Sequence, residues 1–244
     1  MLIMQISVAA ILCAAGSSNR MGGIKKELLP LPEKPFTVLG AALSAFAASP
    51  RIGPIVITVP PGAEEEVRAS LPPELRSGDH VLFVPGGLTR RASVYNALLR
   101  LEPYRPSHVL IHDGARPWIK PGLIETVIDA AIKYEAVIPS LPLYETPKEL
   151  FKRVETPASA EEPAFIRHHL RRADLCVAQT PQGFKFPEIL KAHEKAAERE
   201  EKENVEYTDD AEVWGEFIGQ VAVIPGDPEN RKITFPEDIK YVLK

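Results

Sequence analysis

A loop of small residues that also carries cationic side chains follows the first apolar run of the sequence. Residues 14–27 read AAGSSNRMGGIKKE and include Arg20 and Lys26. Small side chains let backbone N–H groups approach a ligand closely, and N–H groups exposed in such a turn form a concave anion site. Arginine and lysine add full positive charges where phosphate oxygens would lie. The loop predicts a site for a nucleoside triphosphate, and the alternative is a structural turn without a ligand.

Two other phosphate-binding patterns do not fit this loop. Gly-x-Gly-x-x-Gly is absent, because Ser18 stands two positions after Gly16, and no Gly-Lys-Ser/Thr ending of a P-loop occurs. A dinucleotide-dependent oxidoreductase is therefore disfavoured. A non-catalytic, nucleotide-binding regulatory module remains an alternative from a different class.

Polar residues also lie just beyond later apolar runs, in segments 86–94 and 112–117, and a Lys-Ile-Thr triplet occupies 232–234. Open α/β sheets present ligand groups beyond the carboxyl ends of their strands, which makes Asp113 a candidate ligand residue. A turn or helix-cap role for Asp113 is an equal alternative. Ser93 fits a ribose contact or a helix cap equally well, and His112 is expected to pack beside its strand.

A pair of aspartates, Asp209 and Asp210, precedes the apolar residues of segment 211–214. Metal ligation is one interpretation. An aspartate before an apolar helical pattern is also a good N-cap, and we favour that interpretation. No protein metal site is predicted.

A framework that brings strand ends together is needed to position these residues. Apolar runs at 6–12, 55–59, 81–84 and 109–112 alternate with helical patterns at 37–48, 93–101 and 122–134. This alternation predicts an α/β, Rossmann-like fold, with a mostly parallel sheet flanked by helices. The 244 residues, of which 45% are hydrophobic, suit a single domain over residues 1–244.

The alternation breaks at about residues 139–173, where prolines 142, 147, 157 and 163 interrupt every helical pattern. Proline is tolerated in turns and on edge strands. We therefore predict an inserted, projecting β-arm in this segment. The charged stretch 193–206 is expected to be a solvated helix face.

Charge and composition exclude several classes of protein. With 29 basic and 33 acidic residues the chain lacks the concentrated positive charge of a nucleic-acid-binding protein. Cys13 and Cys176 lie in apolar runs without metal-binding spacing, which predicts buried structural thiols. The apolar residues 1–15 contain no cation and are too short to span a bilayer, so we expect no signal peptide, no membrane segment and a cytoplasmic location.

Together these motifs resemble those of sugar-phosphate nucleotidyltransferases, and most closely those of the 2-C-methyl-D-erythritol 4-phosphate cytidylyltransferase family. The first loop is similar to the family's Ala-Ala-Gly-x-x-x-Arg-Met signature, and segments 86–94, 112–117, 180–182, 207–211 and 232–234 are similar to further motifs in the family order. The resemblance covers nearly the whole chain. Ser18 stands where the family often has Gly, Leu88 where Asp is common, and Gly114 where Ala is usual.

The resemblance implies transfer of CMP from CTP to 2-C-methyl-D-erythritol 4-phosphate, with release of pyrophosphate, in non-mevalonate isoprenoid precursor biosynthesis. It assigns the triphosphate and its transition state to the catalytic residues Arg20, Lys26 and Lys232. It assigns CTP binding to Ala14, Ala15, Gly16, Ser17, Gly87 and Ser93. It assigns the acceptor to Asp113, Arg116, Thr146 and Arg172.

The family also implies a Mg²⁺ ion bound mainly through the CTP phosphates, and a homodimer formed through the arm. In such a dimer Thr146 and Arg172 of each chain would reach the acceptor phosphate of the other subunit. A sibling cytidylyltransferase acting on ribitol 5-phosphate or another polyol phosphate is the nearest alternative, because its CTP loop would look the same.

Overall fold

The structure is a computed structural model that describes residues 7–16, 21–31, 36–77, 80–151, 163–203 and 205–241. Its strands are β1 (Val8–Cys13), β2 (Ile52–Val59), β3 (Val81–Pro85), β4 (His108–Asp113), β5 (Ala136–Pro142), β6 (Lys148–Leu150), β7 (Ile166–His169), β8 (Cys176–Ala178), β9 (Gln182–Lys185) and β10 (Ala222–Pro225). Its α-helices are α1 (Val38–Ala47), α2 (Glu64–Ala69), α3 (Pro73–Arg76), α4 (Arg90–Leu101), α5 (Pro121–Tyr134), α6 (Phe186–Glu203) and α7 (Asp210–Phe217).

The main sheet has the order β10-β5-β9-β4-β1-β2-β3, and β8 pairs with the far end of β5. All neighbouring pairs along this order are parallel except those of β9, which runs antiparallel to both β4 and β5. The predicted α/β fold with a mostly parallel sheet is confirmed.

Helices cover both faces of this sheet. Alternate residues of β1 point to opposite sides, so that Val8, Ala10 and Leu12 join a core with α1, α2 and α5. Ala9 and Ile11 join a second core with α4, α6 and α7. A strand buried on both faces must be apolar at every position, which is why β1 reads as a continuous apolar run.

Helix α4 begins at Arg90, three residues before the predicted start at Ser93. The reason is Thr89, whose side chain accepts a hydrogen bond from the Ala92 N–H (3.0 Å) and caps the helix. Asp209 caps α7 in the same way, accepting from the Glu212 N–H at 2.9 Å. The preference for capping over metal ligation at Asp209 therefore agrees with the structure.

The projecting segment begins later than expected, because β5 continues through residues 139–142 as part of the main sheet. Beyond it, β6 and β7 form a separate antiparallel pair with exposed side chains. Residues 152–162, between these strands, lie outside the described part of the chain. The chain then returns through β8, so the segment between the two sheet strands spans 143–175.

Two expectations about burial were wrong. Cys176 is exposed, so it is not the buried thiol predicted from its apolar neighbours, whereas Cys13 is partly buried at the end of β1. His193 is fully buried rather than solvated, because it falls on the inner face of the amphipathic α6 together with Ala192 and Ala196. Among the described helices, none is both long and apolar enough to cross a membrane.

Candidate active site

A pocket of about 720 Å³ opens at the carboxyl ends of β1, β2, β3 and β4. These four parallel strands end side by side, as expected for ligand binding in an open α/β sheet. Of the residues predicted from the sequence, the lining contains Ala15, Gly16, Lys26, Gly87, Ser93, Asp113 and Lys232. The structure thus brings together segments separated by more than two hundred positions of the chain.

The loop after β1 is anchored at Ala14. Its N–H donates to the Thr58 carbonyl oxygen (3.1 Å), and the residue is buried outside the pocket lining. Ala14 therefore holds the loop, while Ala15 and Gly16 face the pocket. Ser17 and Arg20, the other predicted residues of this loop, lie outside the described residues.

The loop after β3 packs directly against the first loop. A Cβ added at Gly86 would overlap the Ala15 Cβ, so this approach requires glycine. The Gly87 N–H donates to Ser93 Oγ (3.0 Å), and Ser93 in turn donates to the Thr89 carbonyl oxygen (2.9 Å). Ser93 orders the glycine loop and lines the pocket, and Thr89 rather than Ser93 is the helix cap.

Asp113 lies at the centre of the cationic part of the site. Its carboxylate is 3.0 Å from Lys232 Nζ, 3.2 Å from Arg116 Nε and 3.9 Å from Arg90 Nε. Burial alone would raise the pKa of Asp113, but Lys232, Arg90 and Arg116 more than offset burial and hold it well below its usual range. Asp113 is therefore an anion that cannot serve as a proton donor near neutral pH.

Arg90 was part of a recognised motif, but no role was assigned to it from the sequence. It lines the pocket, and its Nη2 lies 2.7 Å from Oδ2 of the buried Asp210. Burial disfavours the charge on Arg90, yet Asp210 and other nearby anions raise its pKa above the usual value. His193 Nε2 stands 3.2 Å from the other Asp210 oxygen, without hydrogen-bond alignment. Arg90 and Asp210 are 120 positions apart, so the local spacing of the sequence could not predict that they pair.

Arg116 lies beside the pocket rather than in its lining. Besides Asp113, it contacts the Asn230 carbonyl oxygen through Nη1 at 2.8 Å. Three residues after Asn230, the Ile233 N–H donates to the Ala115 carbonyl oxygen (2.9 Å). The segment after β4 thus holds the loop that carries Lys232.

His112 and Cys13 are both near the site, and neither is suited to acid–base or nucleophilic chemistry. Burial lowers the pKa of His112 to about 4, and its Nδ1 lies 3.0 Å from Thr180 Oγ1, outside the pocket lining. Burial raises the pKa of the Cys13 thiol to about 12. The packing role predicted for His112 agrees with this geometry.

Thr146 and Arg172, the predicted acceptor residues of the arm, are not in the pocket of their own chain. Both are exposed, and Arg172 donates a hydrogen bond to the Tyr144 carbonyl oxygen within the arm. Neither belongs to the lining.

The described part of the pocket suits a polyanion. Lys26, Arg90 and Lys232 supply positive charge, and the carboxylates in the lining are Asp113 and the buried Glu27, whose pKa is raised by burial. Among the described residues no group of three His, Cys, Asp or Glu side chains could hold a metal ion. The described lining therefore combines cationic side chains with the two loops that follow β1 and β3.

Comparison with known proteins supports the resemblance described above. A family model described as IspD, 2-C-methyl-D-erythritol 4-phosphate cytidylyltransferase, matches residues 8–242. The 2-C-methyl-D-erythritol 4-phosphate cytidylyltransferase of Pelotomaculum thermopropionicum is 37% identical over 95% of this chain and 91% of its own length. The bifunctional enzyme IspD/IspF of a Bradyrhizobium strain is 40% identical, and the match covers 94% of this chain but 54% of that relative.

A solved structure agrees with the fold. The 4-diphosphocytidyl-2C-methyl-D-erythritol synthase of Anaerococcus prevotii superposes with a TM-score of 0.77 at 26% identity, covering 98% of this chain and 96% of that one. The match of the family model over almost the whole chain, together with these relatives, decides the assignment. The chain belongs to the IspD family of 2-C-methyl-D-erythritol 4-phosphate cytidylyltransferases.

Proposed function

We propose that the pocket transfers CMP from CTP to 2-C-methyl-D-erythritol 4-phosphate and releases pyrophosphate. The observation that carries this proposal is that Lys26 lines the same pocket as the Asp113–Lys232 ion pair, in which the carboxylate and the ammonium group are 3.0 Å apart. The loops that follow β1 and β3 line this pocket as well. Membership of the family, whose members carry this reaction in their name, supports the same activity.

The reaction is an in-line displacement at phosphorus. A phosphate oxygen of the acceptor forms a bond to the α-phosphorus of CTP, and the bond from that phosphorus to the β-phosphate oxygen breaks. A phosphate monoester has a second pKa of about 6, so the nucleophile is already largely a dianion at neutral pH and needs no general base. A site without a poised histidine or thiol is consistent with this chemistry.

The work left to the protein is positioning and charge stabilisation. Lys26, Lys232 and Arg20 are proposed to hold the triphosphate and the charge that develops at the α-phosphorus. Ala15, Gly16, Ser17, Gly87 and Ser93 would bind the nucleotide through the two loops. Asp113 would accept hydrogen bonds from the hydroxyl groups of the acceptor, and Arg116 would keep that carboxylate in place.

Mg²⁺ fits this site as an ion held mainly through the CTP phosphates. The carboxylates of the described lining are each flanked by lysine, and no cluster of protein ligands occurs among the described residues. When bound, the ion would neutralise phosphate charge during the displacement. Orientation of the triphosphate remains the task of the lysines and the loops.

The arm is proposed to form a homodimer with a composite acceptor site. Tyr144, Phe151 and Phe165 of the arm are 75%, 72% and 69% exposed, and exposed apolar clusters of this kind mark interaction surfaces. A two-fold exchange of arms would bury them and bring Thr146 and Arg172 to the partner's pocket. We also propose that the protein acts in the cytoplasm, where its small phosphorylated substrates would be found.

Pyrophosphate release, measured with each pairing of a nucleotide and an acceptor, tests the proposed function. CTP with 2-C-methyl-D-erythritol 4-phosphate should react, whereas ATP and GTP should not replace CTP. Preferred turnover of ribitol 5-phosphate would favour the sibling cytidylyltransferase. Binding of CTP without turnover of any polyol phosphate would favour the regulatory module.

A further inference from the structure

The loop that carries Lys232 is fastened to a buried glutamine outside the pocket. Gln179 follows β8 directly and is 4% exposed. Its amide nitrogen donates to the carbonyl oxygens of Asp227 (2.9 Å) and Asn230 (3.2 Å), and its oxygen accepts from the Asp227 N–H (3.0 Å). One side chain therefore makes three hydrogen bonds to a turn that ends two residues before Lys232.

The orientation of this amide is determined by its partners. The reverse orientation would set the side-chain oxygen against two carbonyl oxygens, and all three hydrogen bonds would be lost. Gly226, at the start of the same loop, is held equally closely. A Cβ added at Gly226 would overlap Gln179 Oε1 and lie 3.0 Å from the Ser140 carbonyl oxygen.

The neighbouring Thr180 makes the corresponding connection to Asp113. Its Oγ1 accepts the Asp113 N–H at 3.1 Å, and its carbonyl oxygen accepts from the side chain of the fully buried Asn230 at 2.7 Å. Two adjacent residues at the return of the arm thus hold both members of the Asp113–Lys232 pair. The Gln179 N–H itself donates to the Pro139 carbonyl oxygen (2.8 Å), which ties this junction to β5.

We propose that Gln179 is a positioning residue: by holding the loop that carries Lys232, it keeps the Lys232 ammonium group in the correct position beside Asp113 for the reaction at phosphorus. This inference rests on the proposed function of Lys232. Gln179 does not line the pocket, so it would act only through the loop. A lysine side chain is long and flexible, and its ammonium is placed no better than the backbone that carries it. Because a shift of about 1 Å can cost on the order of a hundredfold in rate, loosening this loop should lower turnover more than substrate binding.

Gln179→Met keeps the volume of the side chain and removes all three hydrogen bonds to the loop. We expect kcat to fall about tenfold or more, with the KM for CTP within about twofold of the native value. A purely structural role would instead reduce the amount of folded protein and leave kcat per folded molecule unchanged. Gln179→Asn keeps a neutral amide but shortens the side chain by one methylene, so it weakens the same hydrogen bonds, and it replaces Gln179→Met if that variant does not fold.

A double-mutant cycle with Lys232→Ala tests the inference. If Gln179 acts through Lys232, its substitution should lower kcat by less than about twofold once Lys232 is alanine. Ser49→Ala is the control, because the buried Ser49 donates to Glu125 just before the start of β2, at the end of this strand opposite the pocket. Any reduction in kcat caused by Ser49→Ala should be the same with and without Lys232.

The outcomes separate the inference from the function on which it rests. Near-native turnover of Lys232→Ala would overturn the proposed role of Lys232, and the inference with it. Impaired Lys232→Ala combined with an equal effect of Gln179→Met in both backgrounds would overturn the role of Gln179 alone. A strongly reduced effect in the Lys232→Ala background would support it.

Discussion

Asp113 and Lys232 have different electrostatic roles in the pocket: the aspartate balances positive charge, and the lysine is proposed to bind phosphate. Asp113 is surrounded by Lys232, Arg116 and Arg90, so its carboxylate balances part of the positive charge of the site. A triphosphate bound in the pocket would compete with Asp113 for Lys232.

Lys26→Ala and Lys232→Ala should each reduce turnover roughly a hundredfold or more, because removal of one electrostatic donor at a reacting centre typically costs that much. Steady-state pyrophosphate release measures the effect. Lys25→Ala is the control, since the Lys25 side chain pairs with Glu66 on α2 and is absent from the pocket lining. Turnover reduced equally in all three variants would show that the motif alignment had misassigned the lysines.

His112 predicts a pH dependence of stability. It is buried with its pKa lowered from 6.5 to about 4, so the unfolded chain binds the proton more readily between these values. Its contribution, about 3 kcal/mol, is fully present above pH 6.5 and is lost as the pH falls towards 4. Urea unfolding at pH 7, 6, 5 and 4 should show a smaller loss of stability on acidification for His112→Asn than for the native chain.

The exposed His169 on β7 provides the control for this measurement. His169→Asn should leave the pH dependence of the native chain unchanged. If the native and His112→Asn proteins lose stability in parallel on acidification, protonation of His112 does not contribute to the acid sensitivity of the fold.

At the scale of elements, strands β1 to β4 and the cap of α7 were predicted, whereas the strands from β5 onwards outside the arm were not. Strands β1 to β4 are largely apolar, because helices bury both faces of the sheet. Strand β5 contains Pro139 and Pro142, which disfavour a strand in sequence analysis. Pro139 fits because its carbonyl oxygen still accepts from the Gln179 N–H, a partner forty positions away.

Prediction of the site from the sequence has the same limit as prediction of the strands. Loops that follow strands could be located from spacing, and they placed Gly16, Lys26 and Asp113 in one pocket. Pairs such as Arg90 with Asp210, or Gln179 with the 226–230 turn, depend on tertiary packing between distant segments. No local periodicity or propensity encodes those contacts, so they required the structure.

The proposed role of the arm predicts that its substitution affects the acceptor and leaves CTP binding nearly unchanged. Arg172→Ala should raise the KM for the acceptor about tenfold or more while leaving CTP binding nearly unchanged, because a charged hydrogen bond to phosphate is worth about 1.5–3 kcal/mol. Steady-state kinetics with each substrate varied in turn measures both values. Arg171→Ala, at the exposed neighbouring position, is the matched control.

Mixed dimers test whether the acceptor site is shared between subunits. A Lys26→Ala subunit combined with an Arg172→Ala subunit should recover part of the activity, because one site of each mixed dimer would contain both native residues. A monomer at assay concentration, or no recovery from isolated mixed dimers, would contradict the composite site.

For the whole molecule, the α/β core, the cationic pocket and the projecting arm all take part in the proposed cytidylyltransferase reaction. The core brings the strand ends together, and we propose that the pocket receives the triphosphate and that the arm completes the acceptor site of a partner subunit. The central claim is that an oxygen of the acceptor phosphate attacks the α-phosphorus of CTP in this pocket. Alternative reactions of CTP, such as hydrolysis to CMP, would need only part of this arrangement.

Isotope tracing tests that claim directly. The acceptor 2-C-methyl-D-erythritol 4-phosphate, labelled with ¹⁸O at all its non-bridging phosphate oxygens, is incubated with CTP, Mg²⁺ and the protein, and the products are analysed by mass spectrometry and ³¹P NMR. We expect one cytidine-containing product in which a labelled oxygen bridges the two phosphorus atoms, so that both phosphorus signals show an ¹⁸O isotope shift, together with an equal amount of unlabelled pyrophosphate. A joined product without label on the cytidylyl phosphorus, labelled pyrophosphate, or release of CMP without a joined product would contradict the claim.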